Sequence, residues 1–192
     1  MTSVVSPGGC FIKQQLRTIV FIDGQNLYHG AKEAWRPQPA IGPSRYSWPS
    51  YDVQILAMTL TSRISGRLLS QIRFYTGVPD ANQDIQWHNF WTNKLRFLKN
   101  CGIETYKGRI NNSGQEKGVD VSIAIDLVRL TYEQQFEVAI IVSQDWDFGP
   151  AIALCKNIAS NQQRRLVFES HFPVGPGTQS HRGIPGTIWC PI

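Results

Sequence analysis

Two runs of this chain, Ile19-Val20-Phe21-Ile22 and Val138-Ala139-Ile140-Ile141-Val142, are apolar at every position. A strand with one wet face alternates polar and apolar residues. A strand that does not alternate is covered on both faces. Both runs therefore read as interior strands of a sheet with helices on either side. The rest of the chain supplies the partners. Strands are expected over 17–23, 71–78, 103–106, 136–142, 165–168 and 188–190, and helices over 26–34, 51–62, 84–100, 119–132 and 148–158. Alternation of this kind implies an α/β fold, a doubly wound and mostly parallel sheet. The stretch 35–50 holds Pro37, Pro39, Pro43 and Pro49 and reads as a loop able to act as a lid. The polar stretch 111–118 and the Gly/Pro-rich stretch 172–186 read as loops.

A chain of 192 residues is long enough for one domain with a buried core. We expect a single domain over 1–192, its core about 17–170, with 1–16 as an N-terminal extension. No apolar stretch approaches the roughly 20 residues of a membrane helix, and residues 1–15 lack the pattern of an export signal. Cys10, Cys101, Cys155 and Cys190 are far apart, with no CxxC pair. The expectation is reduced thiols, no zinc site and a cytoplasmic location. The formal net charge is +5, which suits a polyanionic partner.

The acids lie where strands should stop. Asp23 ends the first apolar run, and Asp145 and Asp147 follow the later one. Asp120 falls in the first turn of the helix after Lys117-Gly118-Val119. In a parallel sheet the carboxyl ends of the strands share one edge, where ligands bind. Four clustered carboxylates repel. At about 6 Å and an effective dielectric of about 20, each pair costs roughly 3 kcal/mol. A divalent cation removes that penalty, and all-oxygen ligation favours Mg²⁺ or Mn²⁺.

Three segments carry a resemblance: Phe-Ile-Asp-Gly-Gln-Asn-Leu over 21–27, Lys-Gly-Val-Asp-Val over 117–121 and Ser-Gln-Asp-Trp-Asp-Phe over 143–148. Together, and in this order, they resemble the NYN domain family of the PIN-like nucleases. The resemblance implies a three-layer α/β/α sandwich around a central parallel sheet. It also implies a Mg²⁺- or Mn²⁺-dependent endoribonuclease that hydrolyses RNA through a metal-activated water. It assigns metal binding to Asp23, Asp120, Asp145 and Asp147, and places Asn26 beside them to position water or phosphate. Asp126 matches a recurring family position, but six residues from Asp120 is not a same-face helical spacing, so it ranks below the others. Where the family usually has Ser-Gly-Asp-Ser-Asp-Phe, this chain has Gln144 and Trp146.

Lys117, Lys107 and Arg109 are candidate phosphate contacts, and Trp146 and Tyr28 are candidate stacking surfaces for a base. Trp146 either stacks on substrate or turns into the core. Trp87 and Trp91, four apart on one helix, suit core or partner packing. His29, His88, His171 and His181 read as surface or partly buried residues. PIN-like domains often pair, so a homodimer is an expectation that goes with the family. Two other readings stand beside the nuclease. One is a non-catalytic RNA- or protein-binding module on the same fold. The other is a small-ester phosphohydrolase, opposed by Gln25 at the second Asp of a DxDx[TV] pattern.

Overall fold

The computed structural model describes residues 15–35, 51–111 and 113–192. Residues 1–14 of the expected N-terminal extension, and the proline-bearing stretch 36–50, lie outside the described residues, while Leu16 already belongs to the first strand. Among the described residues seven strands form one sheet: β1 (Leu16–Asp23), β2 (Arg67–Val78), β3 (Glu104–Ile110), β4 (Glu116–Lys117), β5 (Val138–Val142), β6 (Val167–Phe172) and β7 (Ile188–Pro191). The helices are α1 (Gly24–Ala34), α2 (Val53–Ser62), α3 (Ile85–Asn100), α4 (Val119–Tyr132) and α5 (Gly149–Asn161). The strand order is β4-β3-β2-β1-β5-β6-β7, and every pair is parallel except β3–β4.

The two apolar runs become the adjacent central strands β1 and β5, fully buried as their lack of alternation requires. Their side chains feed two cores, one per face. Val20, Ile22, Ile140 and Val142 pack with Leu27 of α1, Val53, Ala57 and Leu60 of α2, and Leu95 and Leu98 of α3. Ile19, Phe21, Ala139 and Ile141 pack with Ile123 and Leu127 of α4 and Ile152 and Cys155 of α5. This is the three-layer α/β/α sandwich expected. Trp91 joins the first core, 6.5 Å between centroids from Phe74.

Some boundaries differ from expectation. β2 begins at Arg67, because its first residues hydrogen-bond along β1 although Leu68 stays exposed. Polar residues extend β3 to Ile110, and Glu116–Lys117 turns back on it as a short antiparallel strand inside the expected 111–118 loop. β6 runs on to Phe172 because Glu169, Ser170 and His171, polar but buried, carry the ladder beyond the apolar part. His171 is thus a core residue, not the surface or partly buried one expected.

Candidate active site

β1 lies between β2 and β5, and the chain winds outward from it in opposite directions. A crevice opens at such a reversal, at the carboxyl ends of the strands. Asp23 is the last residue of β1 and also the N-cap of α1. Its Oδ1 accepts the Asn26 backbone N–H at 3.0 Å, and its Oδ2 accepts the Ser143 hydroxyl at 3.3 Å. Asn26 Oδ1 in turn accepts the Gln144 backbone N–H at 3.0 Å. The first and third acidic segments are thereby stitched together across the β1–β5 pair. Gly24 allows this close entry, since a Cβ there would lie 2.8 Å from Phe74 Cζ and 2.9 Å from the Tyr75 carbonyl oxygen.

After β5 the chain makes a short 3₁₀ turn, Trp146–Phe148. Asp145 caps it by accepting the Asp147 backbone N–H at 2.9 Å, and Ser143 Oγ accepts the Asp145 N–H at 3.1 Å. Phe148 points into the core while Trp146 is 50% exposed. Trp146 therefore takes the outward option. Asp120 stands in the first turn of α4.

A cleft of about 400 Å³ is lined by Asp23, Asn26, Glu116, Asp120 and Gln144, and extends along α1 past Gln25, His29, Gly30 and Glu33. Its acids act on one another. Burial, with help from Asp120 and Asp145, pushes the Asp23 carboxyl up to about 6 against the opposing bonds from Asn26 and Ser143. Burial, then Asp145 and Asp147, also raises Asp120. Glu116 is driven up to about 8 by burial, then by Asp23 and Asp120. Among the described residues, no lysine or arginine forms an ion pair with any of these acids. Among the described residues the repulsion is uncompensated, and the donors are all hard oxygens. Such a set fits a divalent cation of the Mg²⁺ or Mn²⁺ type.

Glu116 is the residue that sequence reasoning missed. The sequence places it in the polar stretch 111–118, and only the β3–β4 hairpin swings it into the cleft. Its place directly before the Lys117 segment was the available signal.

Asp126 is not brought to the other acids. Its Oδ2 accepts the Tyr75 hydroxyl and Arg73 Nη2, both at 2.7 Å, and its Oδ1 accepts Arg129 Nη2 at 2.9 Å. Burial would raise this carboxyl, but those bonds hold it below its ordinary value. Lys107, Arg109 and Lys117 lie exposed on the β3–β4 hairpin, Arg109 opposite Lys117. Tyr28 sits on α1 with its ring edge-on to His29, centroids 5.2 Å apart.

Gln144, the departure from the family pattern, has a structural role. Its side-chain amide donates to the carbonyls of Ser180 (3.1 Å) and Arg182 (3.0 Å). Further along, the Gln179 backbone N–H donates to Glu33 Oε1 at 3.1 Å. The segment between β6 and β7 is thus tied along the rim of the cleft.

A separate group, Glu169, His171 and Cys190, also places its potential ligand atoms within 4.8 Å of one another. Arg67 occupies both Glu169 oxygens, at 2.5 and 2.9 Å, and His171 Nε2 adds a third contact at 3.0 Å. Burial would raise Glu169, yet the His171 and Arg67 bonds bring it down to about 2. That leaves His171 Nδ1 and Cys190 Sγ, fewer donors than a structural zinc site takes. We read the group as a buried ion pair with a histidine partner.

The NYN domain pattern matches residues 17–158, most of the chain and all of the acidic segments. The chain belongs to the NYN domain family. NYN domains fall within the PIN-like nuclease superfamily, so this chain has a nuclease-type fold. The C-terminal segment tied by Gln144 lies beyond the matched residues. Comparison with curated proteins gives no match. Among solved structures, a Vibrio parahaemolyticus protein of unknown function is similar, with 16% identity, a TM-score of 0.51 and 82% of each chain covered. At that identity the likeness speaks for the fold alone. No helix among the described residues is long and apolar enough to cross a membrane.

Proposed function

We propose that this NYN domain is a metal-dependent endoribonuclease, with Asp23, Asp120, Asp145 and Asp147 as ligands for Mg²⁺ or Mn²⁺. The observation that carries the reading is that Asp23 and Asp120 share the cleft while Asp145 acts on both and Asp147 on Asp120, a mutually repelling group that pairs with no lysine or arginine among the described residues. A bound divalent ion supplies a water of lowered pKa and screens charge on the phosphate oxygens.

The residues of the chain do the positioning. Asp23 is held rigidly, because its two oxygens are oriented by Asn26 and Ser143. The Gln144 N–H fixes the Asn26 amide by its oxygen, which leaves Nδ2 to donate to a water or phosphate oxygen in the cleft. Lys117, Lys107 and Arg109 are exposed cations for the phosphates on either side of the scissile bond. Trp146, next to the ligand pair, offers a stacking face to a base, and Tyr28 offers a second from α1.

Cleavage of single-stranded RNA with Mg²⁺ or Mn²⁺, in EDTA, and by Asp23→Asn tests this. Undiminished cleavage in EDTA or by the variant would sink the mechanism. Gln144 and Trp146 favour one other reading, a non-catalytic RNA- or protein-binding module. That module would bind without turnover and take up no Mn²⁺ in a calorimetric titration.

A further inference from the structure

We infer that Glu116 is a fifth metal-binding carboxylate, reaching the cleft from β4 to join Asp23 and Asp120; the inference rests on the metal-dependent reading of this site. Glu116 lies outside the three segments that carry the family resemblance.

The first observation is a contrast among acids. Asp126, Glu137 and Glu169 each accept hydrogen bonds from an arginine, and each is held below its ordinary range. These are acids the fold uses for itself. Glu116 Oε1 is buried and has no hydrogen-bond partner among the described residues. A buried oxygen left unmatched is a net loss to folding. Lys117 follows it directly, but neighbouring residues of a strand face opposite sides, so that ammonium does not neutralise it.

The second observation is that the fold makes room for this carboxylate. Glu116 lies against Gly77, near the end of β2, where a Cβ would come within 2.7 Å of Oε1 and 2.9 Å of Cγ. Glycine weakens a strand interior and often marks a close approach. Here the approach is that of a carboxyl side chain, on a residue that lines the cleft with Asp23 and Asp120. A hard cation held by these carboxyl groups would remove their repulsion and give the Glu116 carboxyl a partner that the described residues do not supply.

The test is a calorimetric Mn²⁺ titration of the full metal-free chain and of Glu116→Gln, with the melting temperature of each measured in EDTA. The variant keeps the shape and removes the charge. It is expected to bind Mn²⁺ at least tenfold more weakly, with a metal-free melting temperature equal to or above that of the parent. Unchanged Mn²⁺ affinity overturns the role of Glu116 alone and leaves the proposed function standing. A lower metal-free melting temperature assigns Glu116 a structural role and overturns it too. Absence of Mn²⁺ binding by the parent chain removes the metal-dependent reading and this inference with it.

Discussion

Asp23→Asn should stabilise the metal-free protein at neutral and alkaline pH while abolishing its response to metal. In the native state the Asp23 carboxyl, 4% exposed, is raised from 3.8 to about 6. The folded protein therefore holds a proton that the unfolded chain has already released, and stability falls as pH rises through that window. Above about pH 6 the full penalty applies, roughly 3 kcal/mol from the size of the shift. Asparagine keeps the cap, because its side-chain oxygen still accepts the Asn26 N–H and asparagine caps as well as aspartate. The variant and parent should be equally stable near pH 4. They should diverge to about 3 kcal/mol by pH 8, or about 6–12 °C in melting temperature for a chain of this size. Glu116 and Asp120, raised in the same direction, add to the slope in the parent. Mn²⁺ at about 100 times its Kd should then restore roughly 2.7 kcal/mol to the parent and nothing to the variant. Urea unfolding in EDTA at pH 4, 6 and 8, with and without Mn²⁺, reads all of this. A variant less stable than the parent at pH 8, or a gap independent of pH, would refute the electrostatic reasoning.

Asp126→Ala should destabilise the fold by about 2–4 kcal/mol, since it strands Arg73 and the Tyr75 hydroxyl in a largely buried site; urea unfolding measures this, and calorimetry should show Mn²⁺ affinity unchanged. Trp146→Ala should weaken single-stranded RNA binding by about 1–3 kcal/mol in a fluorescence anisotropy titration without altering Mn²⁺ affinity. Gln144→Gly, the residue usual in the family, should release the segment around Ser180 and Arg182 and speed limited proteolysis there; an unchanged cleavage pattern would show that the two amide bonds do not hold it.

The central sheet was legible because its signal is local. A run such as Val138–Val142 has no polar residue to place toward water, whatever the rest of the chain does. The placement of Asp23, Asp120, Asp145 and Asp147 was legible for a related reason: each falls at or just after the end of such a run or in the first turn of a helix, and parallel winding puts strand ends on one edge. Asp126 shows the limit. Its position along the chain resembles that of a site acid, but the rotation of α4 delivers it to Arg73 and Tyr75.

By itself, then, the sequence determined the layered α/β architecture and the edge on which the acids gather, since burial on both faces and strand-end position are properties of short segments. Tertiary structure alone decided which acids face the cleft and which are neutralised. A two-residue antiparallel strand carries Glu116 over Gly77 and into contact with the field of Asp23 and Asp120, across gaps in sequence of 39, 93 and 4 residues. Nothing in the local pattern of residues 111–118 encodes that, because the hairpin is held by pairing with β3 and the glycine that receives the side chain belongs to a different strand.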